Sequence, residues 1–158
     1  MFKHILATAT ALLFFGGTVS TAKAPPPKPI KVVQAVEYQL REAIPKPPIP
    51  AEARQPEWWA LAREVGWAED QMLTLDYVIW RESRGQIGAF NKSDPNGGSV
   101  CLLQINKFWV KYLRQHNVIK QAKDLYDPRT CLTAGLTIYR YGVDRYGWGW
   151  GPWAIKQP

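Results

Sequence analysis

Eight of the thirteen prolines in this 158-residue chain fall within residues 25–50, in the runs APPPKP and IPKPPIP. Proline has no backbone donor and a locked φ, so these runs form neither helix nor internal sheet and predict an extended, semi-rigid spacer over residues 25–50. Between the two runs Val33, Val36, Leu40 and Ile44 recur near helical spacing, enough for one short amphipathic helix within the spacer. Upstream, Lys3 and His4 precede the apolar run Ile5 to Phe15, followed by small residues at Gly16, Gly17 and Ser20 to Ala24. This reads as a secretory signal peptide over residues 1–24, with cleavage after Ala22 or Ala24. The stretch from Ile5 to Val19 is 15 residues, short of the roughly 20 that span a bilayer. Export with cleavage is therefore favoured over an uncleaved anchor, the one route by which this chain would meet a membrane. A single small domain over residues 51–158 remains to be folded.

Scarcity excludes several chemistries. The histidines are His4 and His116 and the cysteines Cys101 and Cys131, so a two-histidine zinc helix and a four-cysteine zinc site are both ruled out. There is no glycine-rich phosphate loop, and no residue cluster implies a metal or an organic cofactor. The formal net charge of +7 favours an anionic partner. Residues 51–158, however, hold 14 basic and 11 acidic side chains, dispersed rather than gathered in a stripe, which argues against nucleic acid. What is left is carboxylate chemistry, a Cys/His pair, or binding without chemistry.

From residue 51 onward apolar residues recur at helical spacing and almost nothing alternates at period two, so the expected class is all-α. Pro56 and Glu57 suit a first turn and Gly66 the residue past the end, giving a helix over about 56–65. Glu69 and Asp70 favour a new N-terminus, and Met72, Leu75, Val78 and Ile79 form an apolar stripe running to about Glu82. Residues 83–99 contain Gly85, Gly88, Pro95, Gly97 and Gly98 and read as an irregular loop. Helix resumes over about 107–115 and over about 128–145, the latter with Asp127 as cap and Pro128 at its first position. The tail GWGWGPW is too broken by Gly and Pro for regular structure.

The informative residue is Glu82, in the string VIWRESRG where an apolar helix stops. A carboxyl near a helix C-terminus and against aromatic surface is disfavoured in its charged form. Kept protonated, it can act as general acid on a glycosidic oxygen. Position alone favours a plainer reading, in which Glu82 pairs with Arg81 or Arg84 on a solvated helix end.

The strings around Glu82 resemble those of the SLT-type lytic transglycosylases, within the lysozyme-like superfamily. The likeness runs from about Trp58 to Trp153 and rests on four pieces in order. Glu82 and Ser83 end a helix; SVCLLQIN, from Ser99 to Asn106, is similar to the family's Gly-Leu-Met/Phe-Gln segment. LYDPRTCLTAGLTIY, from Leu125 to Tyr139, is similar to its Asp-Pro followed by an Ala-rich helix ending in Tyr, and the closing GWGPW is similar to that of some phage members. The resemblance implies a lysozyme-like helical domain with a groove, in which Glu82 is the single catalytic acid. It further implies that Ser83 helps shape the saccharide site, that Gln104 binds the N-acetyl sugar and that Leu102 and Leu103 pack this turn beneath the groove. Tyr139 would reach the catalytic carboxyl through its hydroxyl, and Asn91 looks like the loop Asn ahead of the Gln segment. Outside that context Gln104 reads as a loop amide and Tyr139 as a buried aromatic.

Three departures accompany the likeness. Cys101 stands where the family usually has Gly, and Cys131 where it usually has Asn. As the only cysteines of an exported chain they favour one disulfide, closing a loop of about 30 residues and contributing about 2–4 kcal/mol. A Gly at position 101 would accommodate a positive φ that Cys resists. The family's frequent Ala-Tyr-Asn string is missing, and the aromatic tail occupies its place.

The implied reaction needs one carboxyl. Protonated Glu82 donates to the oxygen linking N-acetylmuramic acid to N-acetylglucosamine while the muramoyl acetamido oxygen supports the developing cation. The ionised Glu82 then takes the proton of that sugar's C6 hydroxyl, leaving a 1,6-anhydro ring. The implied partner is the glycan strand of peptidoglycan, met by an exported protein at the cell envelope, whether a bacterium remodels its own wall or a phage breaches one. A goose-type-like muramidase would need a second carboxylate, for which Asp94 in NKSDPNGG is the candidate, although it also reads as a turn residue before Pro95. Further rivals are a wall amidase or peptidase using Cys101 with His116, and a wall-binding module without activity. Of the eight tryptophans, Trp67 and Trp80 are expected in the core, and Trp58 and Trp59 cannot both face inward from one helix. Trp148, Trp150 and Trp153 are candidates for core closure and for stacking on sugar rings.

Overall fold

Pro56 opens a 3-10 turn (Pro56–Trp58) that runs directly into helix α1 (Trp59–Val65). Gly66 ends α1 with φ at 98°, a left-handed conformation that side chains resist. The computed structural model describes residues 47–157. The expected signal peptide and most of the expected spacer, with its short helix, lie outside the described residues. Helix α2 (Glu69–Ser83) starts on two acids and buries Met72, Leu75, Val78 and Ile79, with Asp76 and Ser83 on the same face. Helix α3 (Val110–Gln115) follows a 3-10 turn over Lys107–Trp109, capped by Asn106, whose Oδ1 accepts from Phe108 N at 2.9 Å. Helix α4 (Pro128–Tyr146) begins where Asp127 Oδ1 accepts from the backbone N and the Oγ1 of Thr130, both at 2.8 Å. Those bonds hold the Asp127 carboxyl below its ordinary value. No helix among the described residues is long and apolar enough to cross a membrane.

The class is mostly helical, as expected, with one small sheet added. Phe90–Asn91 (β1), Ser99–Val100 (β2) and Ile105–Asn106 (β3) form an antiparallel sheet in the order β1-β2-β3. Phe90 faces Val100 and Asn91 faces Ser99, while Val100 faces Ile105 and Ser99 faces Asn106. Strands of two residues are too short to carry a period-two pattern, which is why residues 83–99 read as loop throughout. Two further 3-10 turns, over Ala122–Tyr126 and Gly151–Trp153, lie where no regular structure was expected. In the tail, Pro152 sits within the first turn, where its missing donor costs nothing.

One core joins these elements. It takes Trp59 and Ala62 from α1, the α2 stripe, Leu102, Leu103 and Ile105 from the sheet region, Leu113 from α3 and Leu132, Leu136 and Ile138 from α4. Trp67, Trp150 and Trp153 close it, the first two stacked with centroids 5.4 Å apart. Gly149 is needed where the tail crosses α4, since a Cβ there would come within 2.3 Å of the Tyr139 ring. Of the first tryptophan pair, Trp59 is buried and Trp58 half-buried against the core. Trp80 is not a core residue: it is half-buried on the surface between the guanidinium groups of Arg54 and Arg84, at 4.1 and 4.0 Å from its ring. One position past Ile79, it is turned about 100° from the buried stripe.

Candidate active site

The end of α2 presents Glu82 in a cationic setting. Arg81 donates to Glu82 Oε1 through Nε at 3.0 Å and through Nη2, and the same Nη2 also donates to the carbonyl of Trp153. Among the described residues no protein group donates to Oε2. The carboxylate side chain keeps 24% of its surface in solvent, and Arg81 keeps 31%. Arg84 closes the helix by donating to Trp80 O, through its backbone N at 3.1 Å and through Nη1 at 2.7 Å. The arrangement is thus a partly exposed carboxylate with one oxygen fixed by Arg81, and with positive charge at the negative end of the helix dipole. The pairing with Arg81 is the one that the plainer reading of the sequence anticipated.

The turn after β2 is strained at both ends. Cys101 has φ at 68° and Gln104 at 45°, and Gln104 N donates to Cys101 O at 3.2 Å. Left-handed conformations at residues with a Cβ cost about 1–2 kcal/mol each, so something must hold them. At one end a disulfide joins Cys101 to Cys131 near the start of α4, with Cα atoms 6.3 Å apart. At the other, Gln104 Nε2 donates to Ala89 O at 3.2 Å and Cys101 O at 3.1 Å. Between them Leu102 and Leu103 are fully buried, and Leu103 O accepts from Trp153 Nε1 at 2.8 Å. The amide donors of Gln104 are thus used within the loop, leaving its Oε1 as the acceptor that a ligand N–H or hydroxyl could meet.

The remaining expected site residues fall differently. Ser83 is buried and its Oγ donates back to Ile79 O at 3.1 Å, so it supports the helix end from below. Tyr139 makes no hydrogen bond to Glu82 among the described residues. Its ring is instead edge-on to Trp67 and Trp150, at 5.6 and 4.8 Å. Its connection to Glu82 is indirect: Trp150 packs edge-on to Trp153 at 5.9 Å, and Trp153 O holds Arg81. Asn91 Nδ2 donates to Asp94 Oδ1 at 2.8 Å and Asn91 Oδ1 accepts from Ser93 N at 3.1 Å, which ties both residues into an exposed loop. The Cys101 thiol is oxidised and buried, and His116 is exposed with Nδ1 2.9 Å from Tyr112 O. The Cys/His rival is therefore set aside, because a disulfide sulfur is not a free nucleophile.

Two groups whose roles the sequence reading missed matter here. The Trp153 carbonyl fixes Arg81, a main-chain role that composition cannot signal. Asp76, on the buried stripe of α2 and 3% exposed, accepts from Arg54 N at 2.8 Å, Gln55 N at 2.8 Å and Trp59 Nε1 at 3.0 Å. It fastens the entry of the domain to α2; its signal was an acid on an apolar stripe. Among the described residues no cluster of three or more metal-ligating side chains is present. Comparison of the chain with protein-family models, with curated proteins and with solved structures finds no match in any of the three.

Proposed function

We propose that this chain is an exported peptidoglycan lytic transglycosylase of lysozyme-like fold, with Glu82 as its single acid and base. The observation that carries the reading is the partly exposed Glu82 carboxylate at the end of α2, one oxygen held by Arg81 and the other without a donor among the described residues. Further support comes from the Cys101–Gln104 turn and the Trp153 carbonyl, both attached to that helix end through the tail. In the cleavage step Glu82 protonates the oxygen between N-acetylmuramic acid and N-acetylglucosamine, and the muramoyl acetamido oxygen stabilises the cation. In the second step the Glu82 carboxylate removes the C6 hydroxyl proton, and O6 closes on C1 to give the 1,6-anhydro end, with no net consumption of water. Asp94, the candidate second carboxylate for a goose-type-like muramidase, is hydrogen-bonded to Asn91 in its own loop.

The Arg81 pair favours a second reading, a wall-binding module that holds glycan without cleaving it, because two guanidinium N–H groups already occupy Glu82 Oε1. Mass spectrometry of sugars released from peptidoglycan separates these. Ends one water lighter than the hydrolytic product support the transglycosylase, and reducing ends assign a muramidase. A folded protein that pulls down peptidoglycan without releasing product establishes the binding module.

A further inference from the structure

Beside the aromatic residues that close the core, a second set faces solvent. Phe108, Trp109, Tyr141, Tyr146, Trp148 and Pro152 line an open cavity of about 430 Å³, where the turn before α3, the last turns of α4 and the tail meet. Phe108 and Tyr146 are 66% and 67% exposed, and large rings left side by side in water mark a surface that a ligand covers. Their neighbours are preset. Trp109 packs edge-on to Phe108, Tyr112 and Tyr141 with centroids 5.5, 5.7 and 5.2 Å away, and Trp148 Nε1 donates to Ile155 O at 2.7 Å. A ligand settling on these faces would order little that is not already ordered.

The lining also defines the ligand's chemistry. None of its residues carries a formal charge, so a carboxylate-rich peptide or a phosphate would find no cation in it. Its polar groups include the phenols of Tyr141 and Tyr146, whose rings are 6.1 Å apart. Hydrogen bonding to Tyr146 holds the Tyr141 hydroxyl above its ordinary value, so it stays a neutral donor and acceptor. A neutral ring with one apolar face and hydroxyls at its edge uses both features, whereas a hydrocarbon would leave the phenols idle. Pro152 adjoins Trp153, whose carbonyl is held by the same Arg81 Nη2 that holds Glu82 Oε1. Bond lengths then put the Pro152 Cα within about 11 Å of that carboxylate oxygen, a gap that a short oligosaccharide bridges.

We propose, resting on the glycan-cleaving reading, that this cavity is a remote sugar subsite that seats a neutral N-acetylhexosamine ring of the strand whose cleaved bond lies at Glu82. Full-length Glu82→Gln protein is titrated with a tetramer of β-1,4-linked N-acetylglucosamine, followed by calorimetry and tryptophan fluorescence. In that background Phe108→Ala and Tyr146→Ala, both surface changes with folding checked by thermal unfolding, are expected to weaken binding about fivefold each. Tyr146→Phe, which keeps the ring, is expected to weaken it less. Unchanged affinity in both alanine variants overturns the subsite and leaves cleavage at Glu82 untouched. Weakened binding in the variants, with no product from peptidoglycan in the parent chain, supports the sugar subsite while removing the cleavage reading. No binding of the tetramer at all overturns the subsite, and product analysis then decides separately on cleavage. Self-association abolished by the same two alanine changes overturns it in favour of a second copy as the occupant.

Discussion

Of the four carboxylates on helix α2, Asp76 and Glu82 lie six residues apart and are treated oppositely. In the middle of the helix Asp76 is buried and accepts from two backbone N–H groups and the indole of Trp59. At the end Glu82 is a quarter exposed and, among the described residues, accepts from a single guanidinium and keeps one oxygen without a donor. The first is a structural pin, because Gln55 N and the Trp59 indole would be left buried and unpaired without it. The second has acceptor capacity to spare, the property a proton-transfer group needs. Residue type does not separate them. What separates them is how many donors the surrounding fold points at each.

The largest expected effect tests the second half of that contrast. Glu82→Gln should lower release of muropeptides by about a thousandfold while leaving the thermal midpoint close to that of the parent, since a partly exposed ion pair contributes about 1 kcal/mol at most. Retained turnover would assign the acid elsewhere. Asp76→Ala should do the reverse: about 3 kcal/mol of stability lost in denaturant unfolding, with turnover per folded molecule within about twofold. A drop in turnover of folded Asp76→Ala protein, beyond that, would join the two carboxylates into one functional unit. Replacing Cys101 and Cys131 together with Ser should cost about 2–4 kcal/mol, measured the same way, and should raise hydrogen exchange in the turn that holds Gln104. A protein equally stable without the bridge would show that the Gln104 amide alone carries the strained backbone.

The smallest effect concerns a third carboxylate, Asp127, which caps α4. Its folded-state value lies below the ordinary 3.8 because Thr130 donates to it. Its stabilisation is therefore complete above the ordinary value and is lost as pH falls through the lowered one. Asp127→Asn keeps the capping geometry, so stability at neutral pH should stay within about 0.5 kcal/mol while part of the fall in stability below pH 4 disappears. An unchanged acid limb would mean that the cap acts through geometry and not through charge.

Much of this was legible in the residues. Pro56, Gly66, Asp127 and Pro128 mark helix limits because their backbone chemistry acts locally, and α1, α2 and α4 follow those marks within a few residues. The pairing of Cys101 with Cys131 was legible because the chain holds no other cysteine to choose. The small sheet was not legible, since two-residue strands are selected by the turn chemistry of their neighbours and not by any pattern of their own. Trp80 was misjudged for a related reason: hydrophobic character says that a ring will be covered but not by what, and here two arginines cover it.

The chain alone determined where the helices run, which face of α2 is apolar, and that Glu82 stands at a helix end. These depend on interactions a few residues long. Only the tertiary structure decided that Arg81 and the Trp153 carbonyl fix Glu82, that Tyr139 is packed between tryptophans, and that Trp148 joins an open aromatic cavity while Trp150 and Trp153 are buried. Each of those outcomes depends on groups brought together from distant parts of the chain by one shared core, and a core is a property of all its residues at once.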